Sequence, residues 1–209
     1  MILLYAHTDS ARLHYISRFV FHDFFRLSLH VSTDRERFEQ FPGPKIYYGN
    51  EPDTIRSATV FFTIPAAGLL SETGIRAIEL QPKPWRAANR PLETYTCFFA
   101  VPESKGYAFD VLSAAFYCLS RYEEYLPYTP DAYDRYPHTD SLAYRHGFLH
   151  QPLVNYWLTD LAEQLQAMFP GFILPLPSFR WVPTYDIGPF GGVPGTFYVR
   201  CSCAVYNEV

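Results

Sequence analysis

Charged residues are scarce in this chain. Lys, Arg, Asp and Glu make up 18% of its 209 residues, with a formal net charge of −4. No basic residues cluster into a face able to neutralise phosphates, which excludes a general nucleic-acid binder. Cysteine is nearly as thin. The four, Cys97, Cys118, Cys201 and Cys203, form no C-x-x-C pair, and two fall in apolar segments where thiols act as inert filler, so a reducing compartment fits best. Long apolar runs are missing too, so no segment is expected to span a bilayer. The opening MILLYAHTDSAR has a short apolar run, no basic leader and an early acidic residue, unlike a secretory signal. A cytoplasmic location with no membrane partner is the expectation. There is no internal repeat and no low-complexity run.

Apolar and aromatic residues fill the space that charge leaves. Hydrophobic residues reach 48% and aromatics 18%, with 17 Tyr and 18 Phe. This length suits one domain, or one domain with a short appendage, and buries roughly 70% of the unfolded surface. An aromatic excess reads first as an ordinary core with Tyr hydroxyls at its edge, and second as a sugar-stacking surface.

The pattern opens as β-α-β. Ile2 to Tyr5 is an unalternated apolar run, as in a strand buried on both faces. His7-Thr8-Asp9-Ser10 supplies capping residues for a helix from Ala11 to Phe25, packed through Leu13, Ile16, Phe19, Val20, Phe24 and Phe25. Leu27 to Val31 is the second strand, and a parallel crossover is the default connection. A polar, helix-compatible link at Asp34 to Glu39 leads to a third strand at Lys45 to Tyr48. Thr59 to Ile64 and Ala77 to Leu80 read as further short strands. Pro82, Pro84 and Pro91 bracket a loop carrying Trp85 and Arg86 that can present a variable surface, and Glu93 to Val101 alternates like a strand with one wet side.

The richest stretch is Phe109 to Trp157. Asp110 caps a helix whose apolar face is Val111, Leu112, Ala115, Phe116, Leu119 and Tyr122, and Pro127 and Pro130 stop it. Glu123 and Glu124 sit at the unfavourable end of that helix's dipole, so a basic partner, Arg121 or Arg135, is expected nearby. The Tyr-rich loop from Tyr125 to Tyr144 is longer than compact domains usually carry, so it is either packed by its own aromatics or functional. Pro152 opens a helix from Leu153 to Phe169, with Leu153, Tyr156, Trp157, Leu161, Leu165 and Met168 on one face. Phe179 to Ile187 is a strand interrupted at Pro183. The chain then changes character: Gly188 to Val209 holds four of the 11 glycines and only Arg200 and Glu208 as charges. Its alternation over Thr196 to Tyr206 suits a strand, the other reading being a frame-shifted remnant. The expected architecture is α/β, with a mixed and mostly parallel central sheet flanked by helices. Residues 1–187 form one domain and 188–209 an atypical tail.

SRYEEYLP, Asp134-Arg135-Tyr136 and SLAYRHGFLHQPLVNYW together resemble the N-terminal region of large bacterial polysaccharide deacetylase-like proteins, over Ile2 to about Ile187 and most sharply at Ser120 to Pro127. In that family a domain of unknown function precedes a carbohydrate-esterase catalytic domain. The resemblance implies an accessory domain, with the esterase domain or a glycan as its partner. It also makes Thr184-Tyr185-Asp186-Ile187-Gly188 similar to the T-Y-D-I-D entry into the catalytic domain, where aspartates serve as general base and metal ligand. Here Gly188 replaces the second acidic residue, and no histidine pair follows. Asp186 is then an orphaned half of a catalytic motif, and neither a metal nor a cofactor is expected.

Other constellations are weaker. His146-x-x-x-His150 has the spacing of zinc-binding helices, but Gly147 and Pro152 argue against a helix there. His7-Thr8-Asp9-Ser10 follows the first strand, where open α/β sheets place ligands, though a helix N-cap is the ordinary reading. Arg121, Glu123, Glu124, Asp131, Asp134 and Arg135 can form a polar cluster beside the Tyr-rich loop. Within it, Arg121, Glu123, Glu124, Asp134 and Arg135 are the candidate binding residues, and fixing the loop to the helix end is the structural alternative. Three functions follow: a non-catalytic accessory domain, an independent enzyme using Arg121, Glu123 and Glu124, or a structural, partner-binding module.

Overall fold

The computed structural model describes residues 1–87, 93–171, 178–189 and 197–208, the last two segments as backbone. The described chain divides into two compact units, 1–174 and 175–209.

The first unit is built on β1 (Ile2–Ala6), in which every residue is buried. A strand with apolar side chains on both faces must be covered on both, which is the situation of a central strand in a parallel α/β sheet. It pairs in parallel with β2 (Leu29–Ser32) on one side and β3 (Lys45–Tyr48) on the other. The edge strand β4 (Phe62–Ile64) pairs in parallel with β3. The strand order is therefore β2-β1-β3-β4. The expected α/β class and the β-α-β opening are both present.

Between β1 and β2 the chain forms α1 (Ala11–Ser17), capped by Ser10, whose side chain accepts from Leu13 N–H, and continues as a π-helix over Arg18–Phe24. The wider winding has a reason in the sequence. Buried residues come in pairs four apart, Ile16 with Ser17, Val20 with Phe21, Phe24 with Phe25. At 3.6 residues per turn such a stripe drifts off one face, and i→i+5 bonding, as from Phe25 N–H to Val20 C=O, holds it there. Phe21 thus replaces Phe19 as a core residue, and Phe19 is only half-buried.

The link after β2 is α2 (Arg35–Gln40), capped by Asp34. Its Phe38 packs with Leu3, Tyr5, Tyr47 and Ile55 on one face of the sheet. Lys45 enters this same face fully buried, and its ammonium donates to the carbonyls of Phe38, Glu39 and Phe41 at 3.0, 3.3 and 2.8 Å. These carbonyls close the C-terminal end of α2, where their other bonds, from Phe41 N–H and the Ser57 and Thr59 hydroxyls, are long at 3.3 to 3.4 Å, so a buried cation shares the work of a C-cap. Burial lowers the Lys45 pKa.

The other face is covered by α1 and by α3 (Val111–Leu119), which Asp110 caps as expected. The helix ends sooner than its apolar pattern suggests. Arg121 adopts φ 54°, the left-handed region, and the chain tightens into a 3₁₀ turn at Tyr122–Tyr125. The stop is therefore this backbone reversal, six residues before Pro127. Two further expectations are corrected. Ala77 to Leu80 forms no strand. The stretch just before it is held by Tyr122, whose hydroxyl takes Arg76 N–H and donates to Arg76 C=O, each at 3.1 Å. The Pro-bracketed loop contains β5 (Lys83–Trp85), antiparallel to β6 (Tyr95–Cys97), and Trp85 is buried against Tyr107 and Phe109 instead of lying at a surface. The long loop is organised by a 3₁₀ turn at His138–Asp140 and by α4 (Leu142–Arg145). The last helix of this unit, α5 (Leu153–Met168), seats Trp157 against Phe98 and Phe109, with its indole N–H on Thr96 C=O at 3.0 Å. Its Asp160 is buried and accepts from the Tyr107 hydroxyl at 2.7 Å.

In the second unit β7 (Ser178–Pro189) and β8 (Phe197–Glu208) pair antiparallel along their full length, so the strand expected over Thr196 to Tyr206 is formed.

Candidate functional site

A strand order of β2-β1-β3 means that the chain leaves β1 toward one edge and then crosses back over it, so the loops after β1 and β3 diverge. In open α/β sheets the crevice between two such loops, at the carboxyl ends of the strands, is where ligands sit. Here that place is a cleft of about 490 Å³, whose polar lining is His7, Thr8 and Ser10 from the β1 side, Tyr47, Asn50 and the carboxylate of Glu51 from the β3 side, and Ser71 from the segment after β4.

Each wall is tied down by polar bonds. The Asn50 amide grips one peptide unit in both directions, donating to Ala66 C=O at 2.8 Å and accepting from Ala66 N–H at 2.9 Å. Asp110, fully buried, accepts from Ala67 N–H and from the Tyr48 hydroxyl, each at 2.7 Å, and from Ser113 Oγ at 2.6 Å. Burial raises its pKa against the pull of these donors. Arg12 holds the third wall, donating to Leu69 C=O at 2.8 Å and to Gly74 C=O, with its guanidinium against the Phe116 and Tyr122 rings. Ser10 both caps α1 and donates to Leu70 C=O. The ordinary reading of His7-Thr8-Asp9-Ser10 as a cap and the ligand-edge reading therefore describe the same residues.

At the floor stands a chain of three polar rings. Tyr5 and Tyr47 are register partners on β1 and β3 and stack at 5.8 Å. The Tyr47 hydroxyl accepts from Glu51 N–H at 3.3 Å and lies 3.0 Å from His7 Nε2, while His7 Nδ1 lies 3.3 Å from the Tyr5 hydroxyl. Each ring nitrogen of His7 thus meets one phenol hydroxyl, and the tautomer sets which phenol donates. Burial raises the Tyr47 pKa, which keeps it a neutral phenol. Gly49 is needed beside it, because a Cβ there would run into the Tyr47 hydroxyl. The imidazole is oriented by phenols rather than by a carboxylate.

The residues singled out from sequence separate. Arg121 pairs locally with Glu124 at 2.5 Å, while Glu123 accepts from Leu142 N–H at 2.8 Å with Arg145 at 3.8 Å, so Glu123 binds the long loop to the end of α3. The expected partner Arg135 instead pairs with Asp131 at 3.1 Å, and Asp134 lies exposed in a left-handed turn beside it. Asp186 lies on β7 in register with Arg200 of β8. His146 and His150 are both exposed, and α4 ends before either. Among the described residues no three His, Cys, Asp or Glu side chains are grouped to hold a metal ion, and no helix is long and apolar enough to cross a membrane. Tyr5, Tyr47, Asn50 and the burial of Asp110 were not foreseen. The turn Gly49-Asn50-Glu51-Pro52 after the third strand was the available signal.

The model of the Family of unknown function (DUF7033) matches residues 2–170. Neither a curated protein nor a solved structure matches the chain.

Proposed function

The chain belongs to that family of unknown function across residues 2–170, and on this premise we propose that it is a non-catalytic accessory domain holding a neutral, hydroxyl-rich ligand of the glycan class in the cleft between β1 and β3. The lining of the cleft carries the reading. The Thr8 hydroxyl can donate and accept, Ser10 and Ser71 keep lone pairs after giving their protons to Leu70 C=O and Gly68 C=O, and Asn50 keeps a second amide N–H beyond its bonds to Ala66, a mixture that suits sugar hydroxyls. The rigid ties at Asn50, Asp110 and Arg12 keep that lining preorganised. The resemblance of Ser120 to Pro127 to the segment preceding a polysaccharide-deacetylase domain supports the same reading. On it, the domain docks to a carbohydrate-esterase domain and presents glycan. Free thiols at Cys97 and Cys118 support a reducing, cytoplasmic setting.

The test is a titration of the purified chain with neutral gluco- and N-acetylglucosamine oligosaccharides, followed by amide NMR shifts. Saturable shifts at Thr8, Asn50 and Ser71 that are insensitive to salt, and that vanish in Ser71→Trp, are expected. Silence at these amides with every neutral glycan, or binding confined to anions and abolished by salt, would overturn the proposal.

A further inference from the structure

A second cavity lies beneath the Tyr-rich loop. It encloses about 350 Å³ between the end of α3, the 3₁₀ turn at Tyr122–Tyr125, α4 and Phe148. Its walls are mainly aromatic, from Phe98, Tyr117, Tyr122, Tyr136 and Phe148, and its charged groups are Glu123 and the mutually paired Arg121 and Glu124. None of the groups that define the first cleft is used here.

The left-handed turn at Arg121 brings Glu123 against the loop. There it is half-buried, and its Oε1 is met by the Leu142 N–H at 2.8 Å. The nearest cation, Arg145, stands 3.8 Å away, beyond hydrogen-bond reach, and is itself exposed. Arg121, two residues before Glu123, is paired with Glu124 at 2.5 Å. Burial therefore raises the Glu123 pKa despite the Leu142 amide, Arg145 and the Tyr117 hydroxyl. A half-buried carboxylate whose ion pair with the exposed Arg145 is long, at 3.8 Å, set among aromatic side chains, defines one ligand chemistry. The cavity's thiol adds no reaction to it, since burial pushes Cys118 up to about 12.

We propose that this cavity is a binding site for a small organic ammonium: an apolar or aromatic body the size of one ring, seated among Phe98, Tyr136 and Phe148, with its charged nitrogen at Glu123.

Benzylamine, protonated at pH 7, and benzyl alcohol, its neutral counterpart, form the probe pair, read by amide shifts of Leu142 and Phe148 in the full chain. The wild-type protein should bind benzylamine about tenfold more tightly than the alcohol. Glu123→Gln keeps an acceptor for Leu142 N–H while removing the charge, and should bring the two probes to equal affinity. Tyr136→Ala should weaken both. Equal affinities in the wild type, or no shift with either probe, would overturn the assignment whatever the variants do. So would a preference that survives in folded Glu123→Gln.

Discussion

The Tyr48 hydroxyl donates to Asp110 at 2.7 Å across 62 residues of sequence, joining the end of β3 to the cap of α3. Asp110 also takes the amide of Ala67, so one carboxylate fastens the third strand, the loop after the fourth and a helix start. The β3 wall and the segment after β4 therefore share one buried anchor. Removing it strands several polar groups at once, which is costlier than losing a single hydrogen bond.

Asp110→Ala should accordingly lower stability by about 3 kcal/mol or more, since the Tyr48 hydroxyl, Ala67 N–H and Ser113 are all left without their acceptor. Urea unfolding at neutral pH measures it. A loss below about 1 kcal/mol would show that water replaces the carboxylate and that the site is less closed than described.

Lys45→Met should cost about 1 to 3 kcal/mol, because an apolar chain of similar length fills the space but leaves the carbonyls of Phe38, Glu39 and Phe41 only their longer bonds to Phe41 N–H, Ser57 and Thr59. Exchange of amides in α2 should rise together with the global loss. If Met is tolerated at no cost, the ammonium offsets only its own desolvation and does not cap the helix.

The third strand was legible at Lys45 to Tyr48 because Ile46, Tyr47 and Tyr48 form a compact run, but the burial of its lysine was not. Nothing local distinguishes a capping lysine from a surface one until α2 is laid against the sheet. The same limit hid the cleft. His7-Thr8-Asp9-Ser10 follows the first strand and the turn Gly49-Asn50-Glu51-Pro52 the third, yet only the order β2-β1-β3 makes them neighbours, and strand order is a non-local property. Apolar periodicity located α1, α3 and α5 well. It failed where one backbone torsion decided the outcome, as at Arg121, which no glycine announces.

That torsion is itself testable. A non-glycine residue at φ 54° carries strain, and Arg121's exposed pair with Glu124 returns little. Arg121→Gly should therefore leave the melting temperature unchanged or raise it, whereas Arg121→Val, branched at Cβ, should destabilise by about 1 to 2 kcal/mol. Equal effects of the two substitutions would mean that the turn relaxes without the left-handed residue.

Glu123 gives a prediction in pH, with a definite sign. Its folded pKa is raised above the ordinary 4.5, chiefly by burial, so between 4.5 and the folded value the folded chain holds a proton that the unfolded chain has released. The protonated carboxyl's contribution is fully present below pH 4.5 and is lost as pH rises through the folded pKa. Glu123→Gln cannot titrate and mimics the protonated state. The stability of the wild type relative to Glu123→Gln should therefore fall between pH 4 and pH 7, measured as the difference in urea midpoints at each pH. A difference that instead grows with pH would mean that Leu142 N–H and Arg145 outweigh burial and hold Glu123 ionised. The ammonium site beneath the Tyr-rich loop would then lose its reason, because its carboxylate would already have the positive charge it is argued to lack.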